Sequence, residues 1–405
     1  MRGLLPLWVG VGVYALFLLG GNRLLIDPDT MWQVTVGQWI LDHRAVPETD
    51  VFSFTMRGQP WISTQWLAQV VFAKSYALFG WSGPVVISAA AIAATFALFT
   101  KFLNRHLSES TTLVFVAAAL VLTVPHLLAR PHVLAMPVMV AWVCGLIAAA
   151  DRREAPSFRL LPLIMEWRPA DFSSVGPLEI CLLFGLGLAL WRGIKLPPLR
   201  IVLLLGFLHM ALSQGRASEI LALLAPLALA APLAAQIGGN EVLYSRVAPA
   251  RGVLFAFTAL LLMAGTFAYA SVHRFEPHPH SAPVAAVAEL KKLNVARVLN
   301  DYDFGGYLIA SGVAPFIDGR TELYGEKFFV DHNAASGLME PENLFRLLES
   351  YQIDATLMRS QSAATKLLDH IDGWQKVYAD DIATIHVRKL GAVHTAEPAV
   401  DPKTR

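Results

Sequence analysis

Two carboxylates bracket a proline near the start of the chain, in the run Leu25-Ile26-Asp27-Pro28-Asp29-Thr30-Met31-Trp32-Gln33. Proline fixes its own φ and restricts the residue before it, so Asp27 and Asp29 are predicted on a short, stiff turn. Apolar positions from residue 30 to 41 recur at helical spacing, which predicts an amphipathic helix along a membrane surface with its tryptophans toward lipid. Acids beside aromatic residues at such an interface suit a reaction on a lipid-linked substrate. The structural alternative is a capped helix with Asp29 as its N-cap.

The composition indicates a membrane protein. Of 405 residues, 55% are hydrophobic and only 16% are charged, which is outside the usual balance of water-soluble domains. The net charge of +1 gives no sign of a nucleic-acid partner. Residues 1–272 carry a small excess of basic side chains and residues 273–405 a small excess of acidic ones. This distribution predicts a membrane domain followed by a water-soluble module. Cys144 and Cys181 lie in apolar runs and indicate no disulfide framework.

Apolar runs define the membrane domain, because a helix needs about 20 apolar residues to cross the hydrocarbon layer. Residues 1–272 are predicted to form a polytopic α-helical membrane domain of about nine helices, with a first outer loop at 22–64. If the N-terminus with Arg2 is inside and each of nine spans crosses the membrane in turn, this loop and the C-terminus lie on the outer side. The same alternation also puts Lys101 with Arg105 and the run Asp151-Arg152-Arg153 there, against the positive-inside rule, unless one short span does not cross. The candidate spans are 4–20, 65–80, 83–103, 112–129, 132–150, 177–193, 199–213, 217–236 and 252–271.

After residue 272 the hydrophobic period changes. Strands alternate with helices between residues 284 and 387, which is typical of a small α/β fold. Residues 273–390 are therefore predicted to form an α/β module on the outer side of the membrane. Residues 391–405 are predicted to be a disordered tail.

Charged residues also stand beside the later spans. The run Glu166-Trp167-Arg168 lies in an apolar stretch too short to cross the membrane, so it is predicted to be interfacial or re-entrant. Arg216 and Glu219 stand at the mouth of a span, where a charge needs a partner or an anionic ligand. Two alternatives follow: an ion pair between these residues, three positions apart on a helix, or a binding site for an anion.

Several of these stretches resemble one family. The run 25–33, followed by Gly37-Gln38-Trp39-Ile40 and Val46-Pro47-Glu48-Thr49-Asp50-Val51-Phe52-Ser53, is similar to the first outer loop of bacterial GT-C-type membrane glycosyltransferases. The run 316–325 is similar to the periplasmic module that closes many such proteins. The resemblance covers both ends of the chain and, more loosely, the helices between them. Such proteins usually carry more helices before the Glu166-Trp167 segment, so part of the middle is expected to be missing here.

The resemblance implies a multi-pass protein of the bacterial inner membrane with a periplasmic C-terminal module. Its reaction would move a sugar from a polyprenyl-phosphate donor to an envelope glycan, lipid or protein acceptor, with inversion at the sugar. A carboxylate of the first outer loop would be the general base, which carries to Asp29 first and Asp27 second. Arg216, with Arg168 behind it, would bind the departing phosphate. The remaining substrate-binding candidates are Asp50, Glu166 and Trp32.

No organic cofactor is predicted. A divalent metal is left open, because Asp27, Asp29 and Asp50 together offer carboxylate oxygens. The predicted partners are the polyprenyl-phosphate-linked sugar and membrane lipid, and the sequence does not define an oligomeric state. The alternative function is a non-catalytic, divergent or truncated membrane protein whose module binds glycan or partner proteins. A proton-coupled transporter is disfavoured, because few ionisable residues lie within the spans.

Overall fold

A computed structural model describes residues 4–151, 176–213, 217–237 and 249–389. The described chain is mostly helical and has one small sheet near its C-terminal end. It divides into two compact units, each built from two separate stretches of sequence. Unit 1 comprises Met1–Leu25 and Lys74–Glu276, and unit 2 comprises Ile26–Ala73 and Pro277–Arg405. Most of the predicted outer loop therefore groups with the C-terminal module and not with the apolar helices.

Among the residues that the structure describes, ten α-helices precede the module. In chain order they are α1 (Leu5–Leu19), α2 (Asp29–His43), α3 (Trp66–Phe79), α4 (Ser82–His106), α5 (Glu109–Thr123), α6 (Pro131–Asp151), α7 (Pro177–Arg192), α8 (Pro198–Ser213), α9 (Ser218–Ile237) and α10 (Pro249–Val272).

The apolar helices occur where the sequence predicts them, but they differ in length. Among the described residues, four are long and apolar enough to cross a membrane: Ser82–His106, Glu109–His126, Ser218–Gln236 and Gly252–Val272. The shorter apolar helices are Leu5–Leu19, Pro131–Ile147 and Pro198–Ser213. The structure thus supports a helical membrane part, while a domain of nine crossing helices stays a prediction.

Helix α4 lies at the centre of unit 1 and runs antiparallel to α1. A Cβ atom on Gly10, within α1, would lie 3.2 Å from the Ala97 Cβ of α4. At the other end of the pair, a Cβ on Gly21 would lie 2.7 Å from Val85 Cγ1. The end of α1 and the start of α4 are therefore at the same end of unit 1, and the chain between them leaves and returns at that end.

The next helices of unit 1 alternate in direction. Lys101 and Arg105 lie at the far end of α4. Helix α5 then returns, since the Ala129 amide donates to the Leu24 carbonyl at 2.8 Å. Helix α6 starts beside this contact and runs away again to Asp151. The ends of α4 and α6 are therefore both remote from Leu24. The side of the membrane that they face stays a prediction.

The C-terminal module is an α/β fold around a four-stranded sheet. Strand order is β1-β2-β4-β3; the β1–β2 pair is parallel, and the other two pairs are antiparallel. Apolar side chains cover both faces of the sheet. The elements are α11 (Val284–Lys292), β1 (Val298–Asn300), α12 (Gly305–Ala310), α13 (Thr321–Ser336, broken at Gly325), α14 (Pro341–Ser350), β2 (Ala355–Arg359), α15 (Ala363–Leu368), β3 (Trp374–Ala379) and β4 (Ala383–Arg388).

Within unit 2, α2 packs against α12 of the module. Their shared core contains Trp32, Val36 and Ile40 of α2, Trp61 of the following loop, and Ile309 of α12. Burying a side chain of this size stabilises a fold by about 1.5–3 kcal/mol. Residues 26–73, which we call the early loop, therefore form one folded body with the C-terminal module.

Candidate functional site

The turn that carries the two predicted acids is buried. Asp27 is 6% exposed and Asp29 is 8% exposed. The Asp29 backbone amide donates to Asp27 Oδ1 at 2.8 Å, which satisfies an amide that the start of α2 leaves without an intrahelical partner. Asp27, and not Asp29, therefore provides this cap.

The Asp29 carboxylate is oriented by an indole and by a glycine. Trp32 Nε1 donates to Asp29 Oδ1 at 3.0 Å, one helical turn further along α2. On the module, a Cβ atom on Gly319 would lie only 1.8 Å from the same Oδ1. Residue 319 must consequently lack a side chain for the carboxylate to keep its place.

A second glycine of the module lies against the backbone of residues 27–29, which we call the acid turn. A Cβ on Gly306, in α12, would lie 2.2 Å from the Pro28 carbonyl oxygen. This contact explains the Asp303-Phe304-Gly305-Gly306 sequence as a site of close packing, since only glycine permits such an approach of two backbones.

Helix α2 differs from the predicted surface helix. Its buried residues include Thr30 and Gln33 as well as Met31 and Val34, so both polar and apolar positions face protein. Trp32 is only 6% exposed, and Trp39 is half-buried with its ring stacked on His43 at a centroid distance of 4.0 Å. The prediction of an amphipathic helix with tryptophans toward lipid is wrong, because contacts with α3 and with the distant module cover this helix.

A second set of buried charges lies elsewhere in unit 2, and we call it the arginine cluster: Asp50, Asp318, Arg320 and Tyr324. Arg320 is fully buried. Its Nε donates to Asp318 Oδ1 at 2.8 Å and its Nη2 to Asp318 Oδ2 at 2.7 Å, a bidentate pair. Its Nη1 donates to Asp50 Oδ1 at 2.6 Å. One guanidinium thus joins the early loop to the module.

The protonation states of the arginine cluster follow from its partners. Burial opposes the charge of Arg320, but the carboxylates of Asp318 and Asp50 outweigh burial and raise its pKa, so it stays cationic. Burial raises the pKa of Tyr324 well above its usual value, so its hydroxyl keeps its proton and donates to Asp318 Oδ2 at 2.6 Å. The rings of Trp61 and Phe52 lie 4.7 Å and 5.3 Å from the guanidinium carbon and add cation–π contacts.

The arginine cluster gives Asp50 a structural role in place of the predicted contact with acceptor hydroxyls. Besides the bond from Arg320, Asp50 accepts from the Ser53 hydroxyl at 2.5 Å and from the backbone amides of Phe52 and Ser53. A carboxylate with these partners and no exposed surface would have to break strong bonds before it could bind a substrate. Trp32 likewise directs its ring N–H to Asp29, so the structure makes it a partner of the acid.

An open cleft of about 360 Å³ occurs in unit 2, on the early loop. Asp27 and Asp29 are not among its lining residues. Its walls are mainly apolar and belong to α2, the start of α3 and the connection after α2. The lining residues are Ile40, Leu41, Arg44, Ala45, Val46, Trp66 and Val70.

Three predicted site residues lie outside the described residues: Glu166 and Arg168 in the range 152–175, and Arg216 in the range 214–216. The expected gap in the middle of the chain and the predicted tail at 391–405 fall outside them as well. In the described part of the chain, no group of three or more His, Cys, Asp or Glu side chains is placed to hold a metal ion. Asp50 is engaged by Arg320, so the acid trio of the metal hypothesis does not form one site.

Comparison with known proteins adds no relative. No family model, no curated protein and no solved structure matches the chain. The family resemblance therefore remains an interpretation of motifs.

Sequence reasoning gave no role to Asp318, Gly319 and Arg320, although it singled out the stretch around them. The available signal was a glycine flanked by opposite charges directly after the apolar pair Phe316-Ile317. Such a run predicts a tight backbone position beside an ion pair. Arg320 binds Asp50, which lies 270 residues earlier in the chain, and no sequence signal connects the two residues.

Proposed function

We propose that this protein is a membrane-anchored glycosyltransferase that takes a sugar from a polyprenyl-phosphate donor and uses Asp29 as its general base. The observation that carries the proposal is the division of roles in the acid turn. Asp27 caps the first amide of α2, while Asp29 holds a second buried carboxylate that this cap does not need. Burial of a carboxylate is costly, so an oriented one that does not cap the helix supports a functional role.

In the proposed reaction, Asp29 accepts the proton of an acceptor hydroxyl while the hydroxyl oxygen attacks the anomeric carbon of the sugar. The bond between that carbon and the phosphate oxygen breaks, and polyprenyl phosphate leaves with the bonding electrons. The proton ends on Asp29. The apolar helices of unit 1 supply the membrane part that a lipid-linked donor requires. An outer-face, periplasmic location in the bacterial inner membrane belongs to the same proposal.

The second candidate is a non-catalytic membrane protein that binds glycan or a partner protein. One observation favours it: the acids are less than one tenth exposed and stand apart from the lining of the open cleft. Under this candidate, Asp29 contributes only to the packing of the early loop on the module.

The test is release of polyprenyl phosphate by the full chain in lipid nanodiscs, with a panel of radiolabelled polyprenyl-phosphate sugars. We expect Asp29→Asn to lower the rate at least about 100-fold, because general-base catalysis contributes that much or more. The matched control is Asp42→Asn, an exposed carboxylate on the same helix. Full activity of Asp29→Asn would refute the base, and a wild-type protein inactive on the whole panel would favour the binding protein.

A further inference from the structure

Trp32, Gly319 and Asp29 form one contact set around a single oxygen atom. Trp32 Nε1 lies 3.0 Å from Asp29 Oδ1. A Cβ on Gly319 would lie 1.8 Å from that oxygen and 2.9 Å from Trp32 Nε1. The donor and the glycine thus confine the same atom from two directions, one from the helix of the acid and one from the module.

The indole is itself held in place. The Trp32 ring meets the Trp61 ring edge to face, with centroids 6.3 Å apart, and both rings belong to the core shared with Ile309. Trp61 is anchored in turn, because its Nε1 donates to Glu322 Oε1 of the module at 2.9 Å. Packing of the Trp32 ring against Trp61 and Ile309 therefore fixes the direction of its N–H.

The glycine is held just as firmly. Its neighbours in the chain, Asp318 and Arg320, are fully buried and bonded to each other, and Arg320 is also bonded to Asp50. The segment before it is held by Asn300, whose Oδ1 accepts from the Phe316 amide at 2.7 Å. Residue 319 stands in a stretch of backbone that is braced on both sides.

We propose that Trp32 and Gly319 are positioning residues for the Asp29 base. The C-terminal module then forms one wall of the active site and holds the carboxylate in place. This inference rests on the proposed function. A base must meet the proton it accepts at hydrogen-bond distance, and a displacement of about 1 Å can cost about 100-fold in rate. The arginine cluster, on this view, stabilises the wall that confines the carboxylate.

The first variant is Trp32→Phe, which removes the N–H donor and introduces no clash. Loss of a hydrogen bond to the charged form makes a carboxylate easier to protonate, so its titration midpoint should rise by about one to two pH units. We expect this rise in the ¹³C signal of the Asp29 carboxyl, in full-length protein labelled at aspartate Cγ. The signal that is missing from the spectrum of Asp29→Asn is the signal of the Asp29 carboxyl. The acidic limb of the pH–rate profile should move in the same direction.

The second variant is Gly319→Ala, which places a methyl group against Asp29 Oδ1. We expect kcat to fall about 100-fold while KM changes little, because the base moves and substrate binding does not depend on that atom. The matched control is Gly337→Ala in the same module, where the nearest atom to the new Cβ is 3.2 Å away and φ is −85°. We expect the control to retain activity.

The outcomes separate the two proposals. If wild-type protein transfers no sugar but Trp32→Phe still moves the Asp29 midpoint, the contact stands and the proposed function is wrong. If transfer depends on Asp29 and neither the midpoint nor the limb moves in Trp32→Phe, the function stands and the positioning role is wrong. Should Gly319→Ala fail to fold, the Trp32→Phe titration decides alone.

Discussion

Unit 2 contains two sets of buried acids that are built in different ways. In the arginine cluster, the Asp50 carboxylate receives a guanidinium, a hydroxyl and backbone amides. In the acid turn, Asp29 Oδ1 receives an indole N–H and faces a glycine. The first set is built so that any change of charge disturbs the fold. In the second, an amide at position 29 would still offer the indole an acceptor oxygen.

The largest effect should come from removal of the central cation. Arg320→Met leaves the carboxylates of Asp50 and Asp318 buried without their guanidinium, and we expect unit 2 to lose about 3–5 kcal/mol of stability. Hydrogen–deuterium exchange of the buried strand β2 would measure this loss. Arg346→Met is the control, because that side chain is 54% exposed and its ion pair with Asp331 should contribute no more than about 1 kcal/mol. Equal exchange in the two variants would remove the distinction between the two acid sets.

A direct comparison of the two acids should give the next largest effect. Asp50→Asn weakens the bond from Arg320 in a dry site, and we expect a loss of about 2–3 kcal/mol. Asp29→Asn retains an acceptor for Trp32 Nε1, so we expect it to lose less stability than Asp50→Asn, although its transfer rate should fall at least about 100-fold. The same exchange experiment measures both variants. A larger loss for Asp29→Asn than for Asp50→Asn would contradict the assigned roles.

Trp61 stands between the two sets, so its replacement probes how strongly they are connected. Trp61→Phe removes the hydrogen bond to Glu322 Oε1 and weakens the cation–π contact with Arg320. We expect a loss of about 1–2 kcal/mol. The titration midpoint of Asp29 should also change, because the Trp32 ring loses its edge-to-face partner. An unchanged midpoint would show that Trp32 is held by other contacts.

The smallest effect should be a pH dependence that neither acid set causes. Burial lowers the pKa of His332 and of His386 below the ordinary value. Each is neutral in the fold and gains a proton more readily when unfolded, so its contribution is present above about pH 6.5 and is lost as pH falls toward the folded pKa. Asp301 faces His332, and Asp369 and Lys376 face His386.

Melting temperature measured between pH 7.5 and 5.5 should therefore fall, and less so in His386→Gln. His332 matters for the wall of the site as well, because its Nε2 donates to the Asn300 carbonyl at 2.9 Å and Asn300 holds Phe316. A stability that does not change over this range would show that the two histidines are not the titrating groups.

The sequence predicted what local chemistry determines. Proline between Asp27 and Asp29 predicted the stiff turn, and apolar runs predicted the positions of the helices of unit 1. The surface placement of α2 was wrong, because helix α12 of the module, which packs against it, begins only at Gly305 and leaves no local sign. Within the predicted span 65–80 the structure has helix α3, which has 14 residues and is not among the membrane-length helices of the described chain.

The site was predictable to the same extent. Residue type and spacing selected Asp27 and Asp29, but they could not separate the cap from the second carboxylate, because this depends on which oxygen meets which amide. Residue type and spacing predicted that Asp50 binds substrate, because its contact with Arg320 forms only in the folded chain. Gly319 carried no signal for its contact, because a glycine in a loop has many local explanations.

Unit 2 is assembled from the beginning and the end of the polypeptide, and this has a consequence for biosynthesis. Roughly 200 residues emerge from the ribosome between Ala73 and Pro277, which takes about 10–40 s at ordinary rates of translation. During that interval Asp50 has no Arg320, and α2 has no α12 to pack against. The early loop therefore cannot complete its core until the apolar helices between and the module have been made. Any nascent chain that is interrupted before Arg320 would leave that loop exposed to proteases and chaperones.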